Sequence, residues 1–171
     1  MRIEVRLAKK SDKKVFVRLA LERDSDINEL SVRYYPPFRN SIGNPVYWNE
    51  KFDKLVASNR LFLACIDKKP VGFVHFALDF IDYPAAYIEL IFVSKTSRRL
   101  GIAKQLLAKA EKAVSVRGYT KVFSSTNPDN PISLKMHKKL GYKRCGSIYG
   151  IETPTSREIF VFKNLQRPKK R

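Results

Sequence analysis

Residues 93–114 read VSKTSRRLGIAKQLLAKAEKAV. The stretch opens as the end of an apolar strand and turns into an amphipathic helix. Ile102, Leu106, Leu107, Ala110 and Val114 recur at helical spacing as one apolar stripe, and Gly118 supplies a stop. Arg98, Arg99, Leu100 and Gly101 occupy the junction. A helix N-terminus presents unpaired backbone N–H groups and the positive end of its dipole, which together suit phosphate oxygens. Gly101 allows a ligand to approach the backbone closely, and the small Ala103 leaves room over the first turn. Two arginines here oppose the helix dipole, at about 0.3–1 kcal/mol each. A bound polyphosphate would relieve that conflict. The spacing fits neither G-x-x-x-x-G-K-[ST] nor G-x-G-x-x-G, so neither a P-loop nor a dinucleotide crevice is expected.

The periods on either side set the rest of the architecture. RIEVRLA alternates as a first strand, with Ile3, Val5 and Leu7 on one face. Ser11 is a candidate N-cap for a helix carrying Val15, Phe16, Leu19 and Ala20. YYPPFRNSIGNP (34–45) reads as a loop or broken helix. A second helix follows on Trp48, Phe52, Leu55 and Val56. RLFLACID, the turn KKP and VGFVHFALDFI read as two strands, and AAYIELIFVS as a third whose apolar run suggests burial on both faces. After the quoted helix come the strand TKVFSS, the short helix PISLKMHKKLGY closed by Gly141, and the strands YKRCGSIYGI and REIFVFKNL. The order β-α-α-β-β-β-α-β-α-β-β predicts a mixed α/β (α+β) domain, one layer of sheet with helices on both faces.

The chain has 171 residues, 44% of them hydrophobic, enough for one domain with its own core. That domain is expected over 1–165, with QRPKKR (166–171) as a basic tail. No apolar run approaches the roughly 18–20 residues of a membrane span. The charged start, MRIEVRLAKKSDKK, does not read as a secretory signal. Cys65 and Cys145 match no metal or redox spacing. The expectation is a cytoplasmic protein with reduced thiols, no metal and no membrane partner. The net charge is +18, and residues 95–171 carry 19 Lys and Arg against 4 Asp and Glu. This excess implies an anionic ligand or partner, or else a solvated basic face.

RRLGIA resembles the pyrophosphate-binding motif [QR]-x-x-G-x-[GA] of the GNAT superfamily of acyl-CoA-dependent N-acyltransferases, with IELIFVS and KQLLAKAEKAV as the flanking strand and helix. NPISLKMHKKLGY resembles the family's second motif, N-x-x-[AS]-x-x-x-[YH]-x-x-x-G-[FY], through Asn130, Ser133, His137, Gly141 and Tyr142. Its S-x-x-x-H form is similar to that of phosphinothricin-type acetyltransferases. The resemblance implies a mostly antiparallel sheet splayed at the fourth and fifth strands. It implies acetyl-CoA with its pyrophosphate on the N–H groups of residues 99 to 104, so Arg98, Arg99, Leu100, Gly101, Ile102, Ala103 and Lys104 are cofactor candidates. Ile91, Phe92 and Val93 would run beside the pantetheine arm, Asn130 would hydrogen-bond it with Ser133 nearby, and the Val93 N–H would polarise the thioester carbonyl.

Acetyl transfer to an amine needs a base for the incoming ammonium and an acid for the leaving thiolate. His137 stands where the family often has tyrosine, and a protonated ring would donate to the thiolate; otherwise it is a helix-surface histidine. Glu89, inside the apolar YIELIFV, is costly unless paired or wet, so it is the base candidate, acting through water, or one half of an ion pair. Asp79 and Asp82 extend this acidic segment, while His75 reads as a core histidine. Tyr142 and Tyr149 either line the site or pack in the core. The leading expectation is an acetyl-CoA-dependent N-acetyltransferase acting on a primary amine of a small molecule or protein. The alternative is a basic nucleic-acid or ribosome-binding protein on the same fold without catalysis. Acceptor selection is expected in residues 24–50 and 146–157. REIFVFKNL is a candidate edge strand through which a homodimer would form.

Overall fold

The computed structural model describes residues 2–26, 43–80, 84–150 and 157–166. Its elements are β1 (Ile3–Leu7), α1 (Lys13–Ser25), α2 (Pro45–Ala57), β2 (Leu61–Ile66), β3 (Lys69–Ala77), β4 (Ala86–Val93), α3 (Ile102–Val116), β5 (Lys121–Thr126), α4 (Pro131–Lys139), β6 (Lys143–Tyr149) and β7 (Arg157–Asn164). This is the order that the periodicity predicts. The strands form one seven-stranded sheet ordered β1-β2-β3-β4-β5-β7-β6. Pairings β1–β2, β2–β3, β5–β7 and β6–β7 are antiparallel. β4 and β5 are parallel, in a register running from Ala86↔Val122 to Ile88↔Ser124. The fold is therefore a mixed α/β domain. Within it are two compact units, Met1–His75 with Leu90–Leu107 and Phe76–Glu89 with Ala108–Arg171. β4 and α3 each contribute to both.

The first unit is built on aromatic packing. Phe16 of α1 is fully buried and meets Phe52 of α2 at 5.3 Å and Phe73 of β3 at 5.0 Å between ring centroids. Burying one such ring stabilises by about 1.5–3 kcal/mol. Phe73 in turn meets Phe92 of β4 at 5.9 Å. Asp24 fixes α1 to α2: its buried carboxylate accepts from Trp48 Nε1 at 2.7 Å and from the Gly43 amide at 2.9 Å. Asn44 caps α2 by accepting from the Val46 amide, and Pro45 follows at the first helical position. The turn between β2 and β3 places Asp67 and Lys68 at φ 46° and 70°, the left-handed pair that a two-residue hairpin requires. At Gly72 a Cβ would lie 2.6 Å from the Phe92 carbonyl oxygen, so only glycine allows this close an approach to β4.

The second unit stacks rings across its strands. Phe80 lies 4.5 Å from Tyr87 of β4 and 5.6 Å from Phe123 of β5, and Phe123 lies 6.1 Å from Phe162 of β7. Cys145 is exposed on β6, whereas Cys65 of the first unit is buried.

Several expectations are corrected. β7 lies between β5 and β6, so REIFVFKNL is an interior strand and β6 is the edge. Ser11 does not cap α1. Asp12 holds the N-cap position, and its carboxylate instead takes Arg6 in two bonds of 2.7 and 2.8 Å and the Lys9 amide. β4 is not buried on both faces: Ala86, Ile88 and Phe92 are buried, while Glu89 is exposed. The expected loop at 34–45 falls outside the described residues up to residue 42, as do Asp82 and residues 167–171 of the basic tail. Gln166 is held, its carbonyl accepting from Ser115 Oγ.

Candidate active site

In the first unit, β4 delivers Ile91, Phe92 and Val93 to a turn that passes through a short 3-10 segment, Lys95–Ser97, before α3 begins at Ile102. Ile91 and Val93 share the half-exposed face, and Phe92 points into the core. The Ser94 amide donates to the Val71 carbonyl at 2.8 Å, which ties this end of β4 to β3. The backbone is left-handed at Arg99 (φ 66°) and at Gly101 (φ 74°). Glycine adopts that conformation freely, but arginine does not, and such residues cluster where a ligand is clamped. A Cβ on Gly101 would meet nothing within 4 Å, so the space beside it is open. The amides of residues 99–104 donate to no described residue, whereas the Gln105 amide donates to the Gly101 carbonyl. The sequence candidates Arg99, Leu100, Gly101, Ile102, Ala103 and Lys104 therefore form one run of unspent donors at the positive end of a fifteen-residue helix. This run fits a diphosphate, and α3 buries all five residues of its expected stripe.

Arg98 behaves differently from the expectation. Its Nε donates to the Val93 carbonyl at 3.0 Å, its Nη2 to Asp26 at 2.8 Å, and its guanidinium lies 5.8 Å from the Phe92 ring centre. The side chain is turned back onto its own strand. Asp26, the C-cap of α1, also takes Lys95 Nζ at 2.6 Å. Burial disfavours its charge, but the hydrogen bonds and charges of Lys95 and Arg98 outweigh that and hold the carboxyl below its usual range. The Arg98 guanidinium is thus paired within the protein, on a carboxylate it shares with Lys95. Glu22, one turn earlier, accepts from Ser94 Oγ and from the Lys95 amide. Neither acid is apparent from sequence spacing, since Glu22 lies 72 residues from Ser94 and Asp26 lies 72 residues from Arg98.

In the second unit, Asn130 caps α4. Its side-chain oxygen accepts from the Ser133 amide at 3.0 Å, and Pro131 opens the helix. That oxygen is committed, so a ligand would meet the Asn130 amide group. His137, on the same helix, is 1% exposed. Its Nδ1 lies 3.0 Å from the Ser133 carbonyl, which can only accept, so the proton sits on Nδ1. Ser133 Oγ is 3.3 Å from the same nitrogen. Nε2 is buried with no hydrogen-bond partner among the described residues. Burial pushes the ring below the ordinary histidine value, against smaller opposing effects from the Ser133 carbonyl and Glu111. With the proton on Nδ1, the ring in its neutral form presents a lone pair at Nε2.

Tyr142 packs edge-on to His137 at 5.0 Å and donates to Glu111 Oε1 at 3.0 Å, while Lys163 Nζ donates to Glu111 Oε2 at 2.7 Å. Burial, then the Glu111 charge, pushes the Tyr142 phenol far up, so it stays protonated. Tyr142 supports His137 from within the core, whereas Tyr149 is exposed on the edge strand. Glu89 is exposed on β4, not buried as its apolar neighbours suggest. Asp79 accepts from the Tyr119 hydroxyl at 2.8 Å. His75 is buried, parallel to the Phe73 ring at 6.3 Å, as a core residue. Among the described residues no helix is long and apolar enough to cross a membrane.

Comparison with known proteins gives this geometry a context. The chain is 33% identical over 88 residues to aminoglycoside N(6')-acetyltransferase type 1 of Salmonella typhimurium, covering 48% of this chain and 61% of that enzyme. The aligned part is thus less than two thirds of the relative's length. The fold superposes on PaiA N-acetyltransferase from Thermoplasma acidophilum in complex with coenzyme A, with a TM-score of 0.75 and 15% identity over 96% of this chain and 99% of that one. It also superposes on ribosomal-protein-alanine N-acetyltransferase from Brucella melitensis, with a TM-score of 0.78 and 15% identity over 95% and 99%. The model of the acetyltransferase (GNAT) family matches residues 17–142, from α1 through both motifs, and the chain accordingly belongs to the GNAT family of acetyltransferases.

Proposed function

We propose that this protein transfers the acetyl group of acetyl-CoA to a primary amine by direct attack of the amine on the thioester. The observation that carries the reading is the open turn at the head of α3, with Arg99 and Gly101 left-handed and, among the described residues, no protein acceptor within hydrogen-bond geometry for the first amides of the helix. Acetyl-CoA supplies the activated acetyl group. The amides of residues 99–104 and Arg99 hold its pyrophosphate, and Ile91 to Val93 offer backbone to its arm. Asn130 contributes its amide group and Ser133 stands one turn along the same helix. Glu89, already in water, takes the proton of the incoming ammonium through a water molecule. His137 offers its Nε2 lone pair to a donor of the bound molecule, so the proton for the leaving thiolate comes from solvent.

The name of the Salmonella relative puts aminoglycosides among the amines to test. The net charge of +18 disfavours a polycation, so simple primary amines and peptide N-termini belong in the same screen. Titration calorimetry of acetyl-CoA against wild type and Gly101→Asp tests the cofactor site. Wild-type binding that the variant loses while still folded supports it, and no binding by folded wild type overturns it. In the amine screen, Glu89→Gln is expected to lower kcat by about 10²–10⁴-fold with acetyl-CoA affinity retained. Unchanged kcat would remove Glu89 from the chemistry.

A second reading rests on Lys135, Lys138, Lys139, Lys143 and Arg144, all exposed on α4 and β6. A pyrophosphate does not account for them, and they suit a polyanion such as RNA. RNA affinity that falls steeply with salt would support this reading; weak, salt-independent binding would reject it.

A further inference from the structure

We propose that Glu22, in the last turn of α1, and Asp26, at its C-cap, are positioning residues for the cofactor turn: they hold Arg98 against the Val93 carbonyl so that backbone amides, not the guanidinium, meet the pyrophosphate. The inference rests on the acetyl-CoA reading above and deepens it. Asp26 is bonded to two side chains of the turn, Lys95 at 2.6 Å and Arg98 at 2.8 Å. Glu22 is bonded to a hydroxyl and an amide of the same turn, through Ser94 and Lys95, and lies 3.9 Å from Arg18 on its own helix. Four consecutive contacts therefore pin residues 94, 95 and 98 to α1. Arg98 uses its remaining Nε–H on the Val93 carbonyl at 3.0 Å, which fixes the last peptide of β4 relative to the start of the turn. A planar guanidinium is suited to this forked role and a lysine is not. The outcome is that the left-handed residues 99 and 101 follow a fixed point, and their amides are arranged before any ligand arrives.

This assignment opposes what charge alone would predict. Two carboxylates near an anion's seat repel it, so neutralising either should tighten acetyl-CoA binding if electrostatics dominated. If the acids act by positioning, neutralising them weakens binding in spite of the gain in positive charge. The experiment is calorimetry of acetyl-CoA on the full chain, with thermal unfolding recorded for every variant. Asp26→Asn is expected to raise Kd about tenfold, and Asp26→Glu to recover part of the loss. Arg98→Lys should raise Kd to a similar degree. The double variant Asp26→Asn with Arg98→Lys should be no worse than either single one, since each breaks the same contact. Glu22→Gln supplies the same test should Asp26→Asn fail to fold.

Equal or tighter binding by folded Asp26→Asn or Glu22→Gln overturns the positioning role and leaves the acetyl-CoA reading standing. Additive losses in the double variant also overturn it, because Arg98 would then act on the phosphates independently. Absence of binding by wild type overturns the acetyl-CoA reading and, with it, this inference.

Discussion

The helices α3 and α4 begin in opposite ways. α4 is closed: Asn130 spends its side-chain oxygen on the Ser133 amide, and Pro131 removes a further donor. α3 is open: no side chain caps it among the described residues, and its first amides are unspent behind a left-handed glycine. A closed N-terminus costs nothing to leave alone, and an open one is stable only in water or against an anion. The head of α3 thus presents main chain and dipole, while α4 spends its capping side chain on its own first turn and carries the buried His137.

This contrast can be broken at several points. Gly101→Asp puts a negative charge into the open turn and should weaken acetyl-CoA binding by about 100-fold, read by calorimetry with the circular dichroism spectrum unchanged. A smaller loss would mean that the turn is not the seat of the phosphates. Gly72→Ala forces a methyl group against the Phe92 carbonyl and should cost about 1–3 kcal/mol in urea unfolding. Wild-type stability would show that β3 and β4 can part without consequence. Asn130→Ala removes the cap of α4 and should cost about 1 kcal/mol, whereas Asn130→Asp, which still accepts, should stay within about 0.5 kcal/mol of wild type. If aspartate were as harmful as alanine, the closed description of α4 would fail.

The mildest effect concerns pH. His137 titrates lower in the folded chain than its ordinary value of 6.5. Both states are neutral above that value, so the residue does not affect stability there. Below it the unfolded chain binds the proton first, and stability falls with pH until the folded ring protonates as well. At pH 6 the loss should be under about 1 kcal/mol, and the wild type minus His137→Gln difference should report it. A difference that grows toward alkaline pH would place the proton elsewhere.

Much of this arrangement is legible in the chain itself. The stripe of α3 is read correctly because five apolar residues repeat at one period and all five are buried. The left-handed turn at Gly101 follows from the absence of a Cβ. Other features are not local. The bond of Arg98 to Asp26, 72 residues earlier, has no signal in the local sequence. Glu89 looks buried because its neighbours are apolar, yet alternation along β4 turns it to water. β7 looks like an edge because it comes last, yet the strand order places it inside. Gly72 carries no visible signal at all, since its reason is a carbonyl on the next strand.

The edge strand β6 has a practical consequence. Of the two sulfhydryls, Cys65 is buried and Cys145 is exposed, so a maleimide dye added to the unmodified chain should attach at one place. Partial burial pushes the Cys145 thiol up, so conjugation proceeds better in mildly alkaline buffer. A fluorophore there would report on the second compact unit without altering a residue assigned to the cofactor or the acceptor.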